Sequence, residues 1–74
     1  MDLNALSEFF KQNISNFDSR LGRAWGIVDH MRCPFKMADT DLYIEMSDRL
    51  EDFCEDNNLD YDDYDLEEII WELP

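Results

Sequence analysis

Between residues 37 and 74 the chain carries fifteen acidic side chains and a single base, Arg49. The preceding residues, 1–36, carry four acids (Asp2, Glu8, Asp18, Asp29) and five bases (Lys11, Arg20, Arg23, Arg32, Lys36). The first half is therefore +1 and the second −14, for a net charge of −13. This much like charge in so short a chain repels itself and opposes compaction. It also repels phosphate backbones and anionic lipid, which argues against direct binding to nucleic acid or a membrane surface.

A folded core is still expected, because 45% of residues are hydrophobic and 14% aromatic. Disordered chains combine high charge with low hydrophobicity, and this one does not. The length of 74 residues allows one domain, 1–74. Within it, 1–36 reads as a near-neutral helical scaffold and 37–74 as a strongly acidic helical surface. No run of about 18 apolar residues offers a membrane span. The start, Met1-Asp2-Leu3-Asn4, lacks the basic and apolar regions of a signal peptide. Cys33 and Cys54 are too few for a disulfide scaffold, and they read as reduced thiols of a cytoplasmic protein. A single bridge between them stays open.

Helical periodicity dominates the first half. Leu3, Leu6, Phe10, Ile14, Phe17, Leu21, Ala24, Val28 and Met31 recur every three or four residues. One unbroken helix would run roughly 43 Å at 1.5 Å per residue, longer than a domain of this size is wide. A break near Asn13–Asn16 is the favoured alternative, with Ser15 and Asp18 as a cap signal for a second helix. Gly22 and Gly26 leave a strip without side chains, suited to close helix packing or to self-association. Cys33-Pro34 ends this helical stretch, since the residue before proline avoids the α region. Residues 33–39 read as a loop, and Thr40 as the N-cap of a helix over about 41–56. Asn57–Asp63 is turn-rich, and Asp65 with Glu68 starts a last helix over 66–73. The expected fold is all-α, three to four short helices around an aromatic-rich core that includes Phe17, Trp25, Phe53 and Trp71.

Asp41, Glu45, Asp48, Asp52 and Glu55 are spaced 4, 3, 4, 3, which places them on one helix face opposite Leu42, Tyr43, Met46, Leu50, Phe53 and Cys54. They span about 21 Å, or a charge every 5 Å or so, against a phosphate every 3.4 Å along a DNA strand. Like charges at i,i+4 destabilise a helix by a few tenths of a kcal/mol, and here Arg49 alone offers relief. A second acidic group, Asp60, Asp62, Asp63 and Asp65, encloses Tyr61 and Tyr64. Carboxylates beside tyrosine rings suit arginine, which pairs with the acid and stacks on the ring.

Other uses of these residues fit less well. An EF-hand frame from Asp56 would use Asn58, Asp60, Asp62, Tyr64 and Glu67, but Tyr61 stands where the loop needs glycine. His30 has no nucleophile in a recognisable motif beside it, and no glycine-rich phosphate loop exists. The chain therefore reads as neither an enzyme nor a metal or cofactor protein. Plain solubility through surface charge is the competing account of the acids.

In size, charge distribution and helical carboxylates, the chain resembles the small acidic DNA-mimic inhibitors of bacteriophages and mobile elements, among them anti-CRISPR and anti-restriction proteins. Those proteins share no fold, so no residue roles follow. The resemblance implies a monomer or weak homodimer that blocks the basic nucleic-acid-binding cleft of a defence enzyme, in the bacterial host cytoplasm if the chain is phage-encoded. From the spacing and the acid–tyrosine pattern above, the expected contacts to a basic protein surface are Asp41, Glu45, Asp48, Asp52, Glu55, Asp60, Tyr61, Asp62, Asp63, Tyr64 and Asp65. The alternative is an acidic adaptor or immunity-like protein that binds a basic partner without mimicking nucleic acid.

Overall fold

Asp2 starts the first helix by accepting from the backbone N–H groups of Asn4 and Ala5 at 3.0 and 3.2 Å. The computed structural model describes all 74 residues and contains no strand. Its helices are α1 (Leu3–Asn13), α2 (Phe17–Met31), α3 (Phe35–Ala38), α4 (Thr40–Asp56) and α5 (Leu66–Glu72), with a 3₁₀ turn over Tyr61–Asp63. The all-α class is as expected, but the count is five rather than three to four. The additional helix is α3, a single turn inside the segment read as a loop. Pro34 precedes it at φ −60°, a geometry proline adopts without strain, and so starts the turn.

The long first-half helix is broken, as the size argument favours. The break differs in detail from the expected cap. Asn16, in the left-handed region at φ 55°, precedes α2 and makes no side-chain cap bond. Ser15 instead offers its carbonyl to the Arg20 guanidinium at 3.4 Å. Asparagine tolerates this backbone better than most residues, which lets α1 fold back against α2. The helix expected from Thr40 is likewise capped one residue earlier. Asp39 accepts from the Leu42 N–H at 3.0 Å, and Thr40 donates its hydroxyl to the Lys36 carbonyl at 2.9 Å.

The core unites Leu6, Phe10, Ile14, Phe17, Ala24, Val28, Phe35, Leu42, Met46, Leu50, Phe53, Cys54, Leu66, Ile69 and Ile70. Helix α4 is its axis, since α1, α3, α5 and the 3₁₀ turn all pack on it. Phe35, assigned to a loop from sequence, is fully buried and meets Trp25 edge-to-face at 5.4 Å. Of the four aromatics expected in the core, Phe17 and Phe53 are buried and Trp25 is half-buried. Trp71 is not a core residue and is 62% exposed. On α5 the buried residues Leu66, Ile69 and Ile70, with half-buried Leu73, already complete one face at helical spacing. Trp71 falls on the opposite side. The glycine strip is a further correction. Both glycines are exposed, and a Cβ built on Gly22 or Gly26 meets nothing within 4 Å. No helix of this chain packs against them. Both cysteines are free, and no helix is long and apolar enough to cross a membrane.

Candidate functional site

Helix α4 carries its acids where the spacing puts them. Leu42, Met46, Leu50, Phe53 and Cys54 turn inward. Asp41, Asp48, Asp52 and Glu55 are exposed on the other side, and Glu45 is half-buried at its edge. Two members of the row are paired. Arg20 reaches from α2 and donates to the Glu45 carboxylate. That hydrogen bond, with the nearby charges of Asp39 and Asp41 adding to it, holds the Arg20 guanidinium above its ordinary pKa. Arg49 donates to Asp52 at 3.1 Å, an i,i+3 pair on the helix surface. Asp41, Asp48 and Glu55 have no basic partner. Exposed Glu51 and Asp56 extend the face towards the end of α4.

The second acidic group is more structural than the sequence suggests. Asp60 accepts from the Asp62 N–H at 3.0 Å and thereby sets the 3₁₀ turn. Asp65 accepts from the Glu67 N–H at 3.1 Å and caps α5. Asp62 and Asp63 are exposed. Tyr61 and Tyr64 are half-buried against the core rather than raised as stacking planes. The Tyr61 hydroxyl shares a 2.7 Å hydrogen bond with the Ser47 hydroxyl of α4. At about 100° per residue, Ser47 stands roughly 120° round α4 from the centre of the carboxylate row. The row and the turn therefore occupy different flanks of one helix.

The EF-hand frame does not assemble. Asp60 is turned to its own loop, and Glu67 accepts from the Lys36 backbone N–H at 3.2 Å. No three His, Cys, Asp or Glu side chains converge on a common point that could hold a metal. His30 is exposed near the end of α2. A shallow hollow lies far along the chain from the acids, at the α1–α2 junction, lined by Lys11, Asn16, Phe17, Asp18 and Ser19.

Three features of the acidic half escaped the sequence reading. Arg20 neutralises Glu45 across 25 residues of sequence, which only the tertiary fold could reveal. Ile44 is 51% exposed within the outer face of α4, one turn from both Asp41 and Asp48. Trp71 projects from α5 beside Glu67 and Glu68. Comparison with protein-family models, curated sequences and solved structures returns no match.

Proposed function

We propose that this chain is an acidic nucleic-acid mimic that occupies the basic cleft of a nucleic-acid-binding defence enzyme, such as a CRISPR effector or a restriction complex. The observation that carries this reading is the outer face of α4. There Asp41, Asp48 and Glu55 stand exposed with no basic partner, in a helical row about 21 Å long. A rigid helix holds these charges in a fixed line, so a partner's arginines and lysines meet a pre-organised anionic surface. The net field draws such a partner in rapidly, and screening by salt weakens it over about 8 Å at 0.15 M. Inhibition of this kind needs no turnover and saturates at one copy per cleft.

A second reading, an acidic adaptor or immunity-like protein, is supported by Ile44. A phosphate mimic has no use for an exposed isoleucine within its anionic row, whereas a protein–protein interface does. One experiment separates the two. The chain captures partners from a bacterial lysate at low and high salt, and mass spectrometry identifies them. The mimic reading expects a nucleic-acid-binding partner that is lost at high salt and on Asp48→Asn with Asp52→Asn, and that nucleic acid displaces. A partner that holds nucleic acid and this chain together at saturation overturns mimicry and leaves the adaptor. Unchanged affinity in the double variant removes the α4 row from the interface under either reading.

A further inference from the structure

Trp71 is 62% exposed, the largest apolar side chain left on this surface. Its position is fixed rather than frayed. The indole packs edge-to-face on Trp25, with ring centroids 4.7 Å apart at 68°. Trp25 meets the fully buried Phe35 in the same manner at 5.4 Å and 65°. A ladder of three aromatic rings in edge-to-face contact thus runs from the core to Trp71 and orients it. A side chain already held in place loses little rotamer freedom on binding.

The surroundings of Trp71 are anionic. On α5, Glu67 and Glu68 lie one helical turn before it, about 5–6 Å away between Cβ atoms, and Glu72 follows it. None of the three is in an ion pair; Glu67 accepts from the Lys36 backbone N–H, and Glu68 and Glu72 are unengaged. The nearby Lys36 ammonium is engaged elsewhere, over the Tyr43 ring at 5.6 Å. The face of an indole is itself electron-rich and attracts cations more strongly than other aromatic rings do. Among cations, a guanidinium fits best, because it stacks flat on the ring while its N–H groups reach carboxylates on either side. An ammonium is compact and strongly hydrated and gains less from the ring.

We propose that the Trp71 face of α5 seats an arginine side chain from a basic protein segment. The site rests on the reading above that the acidic half meets a basic protein. It adds a discriminating anchor to a surface whose charge alone does not distinguish arginine from lysine. The two acidic flanks of α4 supply attraction, and Trp71 supplies the preference.

The test uses the full chain and two probes, an acetylated ten-residue arginine peptide and its lysine counterpart, titrated at 0.15 M salt by calorimetry and indole fluorescence. The intact chain is expected to bind the arginine peptide more tightly, with a change in Trp71 emission that survives Trp25→Phe. Trp71→Ala is expected to weaken arginine-peptide binding about two- to fivefold and to abolish the arginine preference, with lysine-peptide binding less affected. Trp71→Leu keeps apolar bulk against Trp25 while removing the π face. It is expected to lose the same preference, which covers the case in which the alanine variant unfolds. Arginine preference that persists in a folded Trp71 variant overturns the seat. If Asp48→Asn with Asp52→Asn still weakens both peptides in that case, the acidic-surface reading stands alone. Loss of preference in the Trp71 variants, with no effect of the α4 variants, keeps the seat and removes the α4 row.

Discussion

Adding a methyl group at both Gly22 and Gly26 should raise the stability of the chain. Both glycines lie inside α2, neither has positive φ, and a Cβ at either site meets nothing within 4 Å. Alanine can therefore take the native backbone without strain or collision. Glycine in a helix interior costs about 0.5–1 kcal/mol relative to alanine, mostly through the freedom of the unfolded chain. The two sites lie one turn apart and share no partner in the fold, and the gain at each comes mostly from the unfolded chain. Gly22→Ala with Gly26→Ala is then worth about 1–2 kcal/mol. For a domain of this size each kcal/mol moves the melting midpoint by about 4–8 °C, so a rise of roughly 5–15 °C is expected. Circular dichroism at 222 nm measures it on heating and in urea, where the midpoint should rise with an unchanged slope. A lower midpoint in either single variant would refute the open-strip geometry, because only contact with another surface could produce it. Sedimentation on the same samples tells whether that surface is a second copy of the chain.

Two further outcomes probe the interior. Phe35→Ala should cost about 3–5 kcal/mol, the usual loss for a fully buried aromatic, and should leave a domain this small largely unfolded by circular dichroism. Stability should also fall at alkaline pH. Burial, and then the charge of Asp60, raises the Cys54 thiol above its ordinary 9.0, and burial together with Glu67, Asp65 and Tyr61 raises Tyr43 above 10.0. Each group favours its protonated, folded form, so the stabilisation is complete below the unfolded value and is lost as pH rises through the folded one. Melting midpoints should be flat to about pH 9 and then decline, and Cys54→Ala should remove the earlier part of the decline.

The helices α1, α2 and α4 were legible because their apolar residues recur at helical spacing, which survives any tertiary context. The break after Asn13 follows from helix length, whereas the Ser15–Asp18 cap signal beside it is not the one the fold uses. Phe35 was hidden because a single turn of helix has no period, and proline signals only that the previous helix has ended. Trp71 is large and apolar, which by residue type alone suits a core, but Leu66, Ile69, Ile70 and Leu73 already fill one face of the last helix and the spacing places the indole opposite. The acids on α4 were legible as a row, but their pairing was not. The Arg20–Glu45 contact and the Ser47–Tyr61 hydrogen bond join residues 25 and 14 positions apart. No local pattern encodes them.

The fold itself engages only some of its acids. Asp39, Asp60 and Asp65 cap helices or turns, Glu45 and Asp52 pair with arginines, and Glu67 accepts from a backbone N–H. Asp41, Asp48, Glu51, Glu55, Asp56, Asp62, Asp63, Glu68 and Glu72 make none of these contacts. Glu55 and Asp56 even oppose the fold, since they sit in the last turn of α4, where no base is present and the helix dipole disfavours negative charge. Replacing both with lysine should relieve that conflict and create i,i+4 pairs with Glu51 and Asp52 in the favourable order. The gain should be about 1–2 kcal/mol, read as a higher melting midpoint at low salt. The same variant should bind the arginine peptide more weakly, since it removes two carboxylates and adds two bases to the outer face. Stability gained at the expense of binding is the signature of charge kept for a partner. A variant that is more stable and binds equally well would mean that Glu55 and Asp56 serve no interface, and the contact surface on α4 would shrink to the segment from Asp41 to Asp52.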